Sequence, residues 1–410
     1  MKIWVKFLIG TVIGLLLGIF IPFGTESSQE TLSFLTNLII NIGRYSLFPL
    51  VFFSLAMGTY ELKQEKHLIK VFGRLILYMA VGTALLSVIG AVTAFIIPLE
   101  RIPIIVEQDI PRQHLKLTEI LLNIFPKNLF KVFFADGNFL FPIYFLALFL
   151  GLNFAFDRLV TRPATQFFDS MSRIFYHINS FILEVLGFGF IILSAYFIVQ
   201  IKGTEEIDLF KQLFIILLID TGIIVFGVFP AILYFFGGKE NPYKWLYAII
   251  GPALAGFLSR DSYFSLAVLV KHGKENLGVP RSVGSTGFPL LAIFGKAGTA
   301  LVTTISFAVV LTSYSSLGIG FTQLLWVAAF SFLFSFTLGT APGSGVFIAL
   351  ANICVLYGRG IEQGYLILRP VLPLLISFGI FLDVITSALV VFLTARHEEV
   401  QKDIEATDFI

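Results

Sequence analysis

The chain has 410 residues, with 28 Lys+Arg against 26 Asp+Glu; it is 57% hydrophobic and 13% charged, and its mean hydropathy is +0.91. Soluble domains carry about 25% charged residues, so this density excludes a water-soluble globule, a disordered chain and a coiled coil, and the pattern is not that of a polar–apolar alternating barrel. A net charge of +2 gives no reason to expect a nucleic-acid partner, which leaves a polytopic all-α membrane protein with the lipid bilayer as its surroundings.

A membrane-spanning helix needs about 20 mostly apolar residues. In chain order the first half offers Ile3–Phe23, Leu32–Tyr60, Leu68–Pro98, Phe139–Phe156, Ile174–Ile201 and Leu209–Phe236, with a polar stretch Glu100–Lys116 between the third and fourth. The first segment is longer than a signal-peptide core, and Pro22-Phe23-Gly24 is no cleavage site, so it reads as a retained helix. Lys2 and Lys6 precede the first span, Lys63, Lys66, Lys70 and Arg74 follow the second, and Arg158, Arg162 and Arg173 precede the fifth. The Gly24–Glu30 loop has no Lys or Arg, which puts the N-terminus in the cytoplasm of a plasma (inner) membrane protein, although Arg101, Arg112 and Lys116 dilute the contrast. Pro49 and Pro230 are expected to kink their spans.

The second half is different. Ala297 to Gly358 carries no charged residue and is long enough for more than two crossings. It is interrupted by Gly339-Thr340-Ala341-Pro342-Gly343-Ser344-Gly345, which cannot continue a helix. Non-helical backbone at membrane depth must be buried in protein or line a cavity, so a re-entrant hairpin is expected. A second break is expected at Ser259-Arg260-Asp261-Ser262, between Leu246–Leu258 and Tyr263–Val270, with an ordinary loop as the alternative. Two broken apolar segments in one chain point to a transporter site. The single cysteine, Cys354, lies in an apolar run and reads as buried packing. The scattered histidines suggest no metal site, and the charged tail after Arg396 reads as a solvated cytoplasmic end.

These residues, in this order, resemble the dicarboxylate/amino acid:cation symporters, the glutamate-transporter family. Ser259–Ser262 falls at its serine-rich first hairpin tip, Gly298-Thr299-Ala300-Leu301 at the end of its N-M-D-G-T motif on helix 7, Gly339–Gly345 at the second hairpin tip, and Leu372–Arg396 at helix 8. The resemblance implies eight transmembrane helices and two re-entrant hairpins in a homotrimer. Residues 1–66 (spans 1 and 2) and 101–206 (spans 4 and 5) would form a scaffold. Residues 67–100 (span 3) and 207–396 (span 6, both hairpins, helices 7 and 8) would form a transport domain moving by an elevator mechanism, and 397–410 a cytoplasmic tail. The second hairpin would act as the gate.

The same resemblance implies substrate contacts from Arg260, Asp261, Ser262, Thr299, the backbone of Thr340, Ala341, Pro342, Gly343, Ser344 and Gly345, and Asp383. The departures are as informative. Gly295, Lys296 and Ala297 stand at the family's Asn, Met and Asp; Asp383 at an Asn; Ser387 at a sodium-binding Asp; Gly379 at the Arg that holds an acidic side chain; Ile376 at the Asp that takes the amino group. Sodium wants several oxygen ligands, so losing carboxylates and adding an ammonium works against it. A charge inside the bilayer costs about 2.5–3.5 kcal/mol on insertion scales, so Lys296 is expected to be paired; the resemblance, which places helices 7 and 8 together around the sodium sites, makes Asp383 the foremost partner and Ser387 a further coupling position. The expectation is that a Lys296–Asp383 pair replaces a coupling ion; a purely structural pair, or Lys296 reaching toward an aqueous surface, is the alternative. Arg260 either binds a substrate carboxylate or pairs with Asp261 or sits at the rim. Asp220 and Glu184 are carboxyls within apolar spans; Glu184 reads as structural and Asp220 as either a relay or a structural group. Arg44 reads as an interfacial anchor.

The expected function is secondary transport of a small organic anion or amino acid, without a cofactor, with sodium coupling disfavoured and proton coupling through Asp383, exchange or uncoupled transport all open. A sodium-coupled symporter of a dicarboxylate or neutral amino acid and an anion-conducting channel are the alternatives. An enzyme is not expected: no HExxH, G-x-S-x-G or nucleotide-binding glycine loop occurs.

Overall fold

The computed structural model describes residues 2–21, 26–104, 122, 124–133, 138–204, 207–238, 241–315 and 320–410. Among these it is helical without strands. Glycine and proline decide where the helices touch and where they break. The first helix, α1 (Ile3–Phe20), lies along a later helix through Gly10, Gly14 and Gly18. Their four-residue spacing puts all three on one face. A Cβ at Gly14 would stand 2.2 Å from the Ile191 carbonyl oxygen, so only glycine permits this approach.

The expected second span is two helices, α2 (Glu26–Arg44) and α3 (Leu47–Gln64), broken at Tyr45-Ser46. Pro49 causes the break: its ring has no room for the carbonyl four residues earlier, at Tyr45. The third span is a single helix, α4 (Leu68–Ile96). The fourth, α5 (Phe141–Phe154), has 14 residues and is roughly 21 Å long, too short to span alone. Most of the Glu100–Lys116 stretch lies outside the described residues. The fifth, α6 (Arg158–Lys202), has 45 residues, about twice what a bilayer needs; the expected Ile174–Ile201 is its apolar C-terminal part. Asp157 caps it by accepting from the Leu159 and Val160 amides. The sixth comprises α7 (Lys211–Ile223), a π-helical turn Ile224–Val228 and α8 (Phe229–Phe236). The π turn widens the helix where Pro230 would meet the Phe226 carbonyl, so the span continues.

After α9 (Pro242–Ala248) comes the first hairpin, α10 (Ile250–Ser259) and α11 (Ser262–Glu275). Helix 7 follows as α12 (Arg281–Phe294) and α13 (Ala297–Tyr314), interrupted at Gly295-Lys296. The second hairpin is α14 (Phe321–Ser335), a short 3₁₀ turn Leu338–Thr340, the tip, and α15 (Gly345–Tyr357). The last helix is α16 (Leu372–His397). In an apolar 18-residue window of each span, 94% of the residues of Arg281–Tyr314 and 89% of those of Gly364–His397 are buried, against 33% to 50% for the other five long apolar spans among the described residues. Helices 7 and 8 therefore form the centre, with α4 and the hairpins packed around them, while residues such as Leu16, Phe188, Leu218 and Phe226 face outward as a lipid-compatible surface.

The tail differs from the expectation of a solvated end. Gln401 Nε2 donates to the Leu277 carbonyl (3.1 Å), the Lys402 amide to the Gly278 carbonyl (3.0 Å), and Lys244 pairs with Asp403 at 2.8 Å. Phe409 is only 2% exposed, the Ile410 amide donates to Asn276, and Lys2 reaches the Thr407 carbonyl. The mixed charges that suggested solvation are partly used in these contacts. Phe409→Ala is expected to undock the segment. Hydrogen exchange should then quicken at least tenfold at Lys402 and Ile410, and unchanged exchange would show that the ring does not hold it.

Candidate functional site

The broken helix 7 and the two hairpin tips converge on the middle of α16. The first tip turns at Arg260, which adopts a left-handed conformation (φ 55°). That turn lets Asp261 cap α11: its Oδ1 accepts from the Tyr263 and Phe264 amides at 2.9 and 2.7 Å. Its Oδ2 accepts from Arg44 at 3.1 Å. Arg44 also lies 5.3 Å from the Tyr263 ring centre. Arg44 is thus more than an interfacial anchor: it ties α2 to the first hairpin. The Arg260 guanidinium pairs with neither Asp261 nor the centre of the site. It turns to α6, donating to Gln200 and lying 5.7 Å from the Tyr196 ring centre.

Lys296 lies in the break of helix 7 and is 3% exposed. Its ammonium donates to Ser262 Oγ at 2.6 Å. Asp383 does not make the direct ion pair expected of it. Its Oδ1 accepts from the Thr299 amide (2.9 Å) and its Oδ2 from the Thr299 hydroxyl (2.7 Å). The reason is local: Thr299 is in the first turn of α13, where backbone N–H groups have no helical acceptor, and a carboxylate from α16 satisfies them in a favourable position for its charge. Lys296 and Asp383 nonetheless line one small cavity, with Ser262, Ser265 and Ser387. About 20 Å³ of it is open to the centre of a water molecule, room for about one water.

The second tip lies against the first. The Ser262 amide donates to the Pro342 carbonyl (3.0 Å) and the Tyr263 hydroxyl to the Gly339 carbonyl (2.7 Å). Ala341 and Ser344 close the turn through bonds to Leu338 and Ala341. A Cβ at Gly343 would meet the Arg260 carbonyl at 3.1 Å, and one at Gly345 would touch the Thr299 methyl at 3.5 Å. At Gly379, a Cβ would stand 3.1 Å from a Val346 methyl, so α15 fills the space that a larger side chain there would need.

The structure therefore gathers Ser262, Lys296, Thr299, Asp383 and Ser387, and lays Thr340–Gly345 over them. It directs Arg260 and Asp261 toward α6 and α2. Sequence reasoning missed Tyr263, Gln200 and the role of Arg44; an arginine inside an apolar stretch was the available signal. Glu184 is exposed on α6 and stands apart from the cluster. Asp261→Ala is expected to lower the melting temperature sharply. It removes a cap worth about 1 kcal/mol and leaves Arg44 without its carboxylate, a loss of about 3 kcal/mol when such pairs are buried. Asp261→Asn keeps the cap and should lose less. Equal melting curves for Asp261→Ala and wild type would refute the pairing.

A sequence model of the Sodium:dicarboxylate symporter family matches residues 3–396. The chain belongs to that family. Among relatives of this symporter-family chain, a proton/sodium-glutamate symport protein of Geobacillus stearothermophilus is 22% identical over 356 residues, 84% of this chain and 83% of that protein. A C4-dicarboxylate transport protein of Bacillus subtilis (strain 168) is 23% identical over 362 residues, covering 86% and 84%. A serine/threonine transporter of Enterococcus faecalis is 24% identical over 360 residues, covering 86% and 81%. The chain is a transporter of this family and not an enzyme. Membership also accounts for the all-helical fold with paired hairpins.

Proposed function

We propose that this protein is a secondary transporter of a small organic anion or amino acid in which the Lys296 ammonium takes the position of a coupling cation. The observation that carries the reading is a fixed, buried ammonium on Ser262, in one cavity with Asp383 and Ser387. A positive charge already in the site competes with a mobile cation for the same oxygens. The relatives' names span glutamate, C4-dicarboxylates and serine/threonine, so the substrate class is an amino acid or a dicarboxylate.

The transport unit would comprise 67–100 and 207–396, moving against a scaffold of 1–66 and 101–206. Apolar packing crosses the boundary between these parts, as at Phe190–Phe264 and Phe141–Phe294, and polar contacts that support such movement lie among it. Arg44 meets Asp261, Arg260 meets Gln200, Tyr176 donates to Glu275, and Arg281 holds Glu61 and Asp169. These polar contacts can be exchanged for water as the parts move. Beside Arg281 lies a cavity of about 430 Å³, consistent with a loosely packed boundary. A homotrimer and a plasma-membrane setting with the N-terminus in the cytoplasm complete the reading.

A second reading is a sodium-coupled symporter, favoured by the family description and by the glutamate relatives' names. Uptake of labelled L-glutamate, L-aspartate, L-serine and succinate into reconstituted vesicles separates the two. Saturable uptake of one of them, equal in sodium chloride and choline chloride, supports the ammonium reading. Uptake that needs sodium supports the second, and non-saturating flux would overturn both.

A further inference from the structure

We infer that Asp220 is a proton-binding site on span 6, distinct from the Lys296 cluster. For its role in coupling the inference rests on the transporter reading; for its existence it rests on geometry alone. Asp220 is on α7 and only 4% exposed, while its neighbours Ile219 and Ile223 face outward at 48% and 55% exposure. It lies about nine residues, roughly 13 Å, along the helix from Lys211, which is within the hydrocarbon depth of a bilayer. Its Oδ1 accepts one hydrogen bond, from the Thr93 hydroxyl of α4 at 3.0 Å. Among the described residues its buried Oδ2 has no hydrogen-bond partner, and neither does the hydroxyl of Thr221 beside it. The π-helical turn Ile224–Val228 follows directly, a distortion common at functional sites.

Asp220 and Asp383 are both buried and are supplied very differently. An ionised carboxylate has about four lone-pair sites and needs donors or a cation when buried. Asp383 has a donor on each oxygen and an ammonium in its cavity. Asp220 has one hydroxyl. The helices packed on α7 are α4, α13 and α16. Their titratable groups are Lys70, Arg74 and Tyr78 on α4, Tyr314 on α13, and Asp383, Arg396 and His397 on α16. None of them bonds to Asp220. Lys211, on its own helix, pairs with Asp208 at 2.8 Å. A proton on Oδ2 removes the uncompensated charge. Binding takes a proton from hydronium, leaving water, and release to water on the opposite side reverses it. The group that carries the proton is then Asp220, and Asp383 stays a helix-capping carboxylate.

The first test is infrared spectroscopy of the purified protein in lipid, in H₂O and D₂O at pH 7. Wild type should show the carbonyl stretch of a buried carboxylic acid, shifted by deuterium, and Asp220→Asn should lack it. Asparagine keeps an oxygen for Thr93, so folding should persist, as a melting curve would check. A band that persists in Asp220→Asn, or that wild type lacks, overturns the site. The second test uses vesicles loaded with a pH-sensitive dye and given an inward gradient of L-glutamate, L-serine or succinate. Internal acidification should fall at least tenfold in Asp220→Asn; unchanged acidification overturns the coupling role. If wild type moves none of these probes, the transporter reading fails, while the infrared result still judges the proton site.

Discussion

Sodium-free uptake is expected to fall at least tenfold when Lys296 is replaced by methionine, whose chain is of similar length but uncharged. The ammonium is the only cation in the Ser262–Asp383–Ser387 cavity. Removing it leaves Asp383 with uncharged donors, the Thr299 hydroxyl and the amides at the start of α13. Losing one partner of a buried charge arrangement costs about 3–5 kcal/mol in measured cases; the missing direct contact here points to the lower end. A tenfold rate change corresponds to about 1.4 kcal/mol, less than half of even the lower end, so a fall of at least tenfold asks for only part of that loss. Any uptake that Lys296→Met retains should be stimulated by sodium, because the oxygens of Ser262, Asp383 and Ser387 then lack their resident cation. Vesicle uptake in paired sodium and choline media reads both effects. Equal uptake by Lys296→Met and wild type in both media would remove Lys296 from the mechanism.

Gly298→Ala should abolish ligand binding and lower the melting temperature by several degrees. A Cβ at Gly298 would stand 2.3 Å from the Leu382 Cβ, 2.4 Å from the Gly379 carbonyl oxygen and 2.8 Å from the Asp383 amide nitrogen. Two of these are backbone atoms, so no side-chain rotation relieves the clash, and overpacking of this kind costs about 1–3 kcal/mol or more. The same shift lifts the start of α13 from α16 and separates Thr299 from Asp383. Gly73→Ala is the control, since nothing lies within 4 Å of a Cβ there. A Gly298→Ala protein that melts and binds like Gly73→Ala would contradict the close approach of helices 7 and 8.

The second hairpin was legible because Gly339–Gly345 interrupts a charge-free run that no lipid-exposed backbone tolerates. The first was legible from Arg260 and Asp261 between apolar arms. The helix 7 break carried its own signal in Gly295-Lys296. What helical periodicity does not encode is which groups meet across helices. Lys296 is expected to pair with Asp383 because a charge inside the bilayer needs a partner and the family resemblance sets these two helices together around the site. The structure gives Asp383 to Thr299 and Lys296 to Ser262, since the start of a half-helix offers the carboxylate an amide that has no helical acceptor, with the Thr299 hydroxyl beside it. Arg44 was read from its local position and its partner lies more than two hundred residues away. The tail looked solvated because its composition is mixed, and Phe409 alone hinted at docking. Pro49 and Pro230 were both legible as perturbations, but not that one breaks its helix and the other is absorbed by a π turn.

The most direct measurement is the melting temperature of the purified protein with L-glutamate, L-aspartate, L-serine and succinate, in sodium chloride and in choline chloride. A ligand that binds only the folded protein raises it by linkage. If Lys296 stands in for a coupling cation, at least one ligand stabilises the protein equally in both salts. Stabilisation that appears only in sodium would contradict that account and make this a sodium-dependent member of its family.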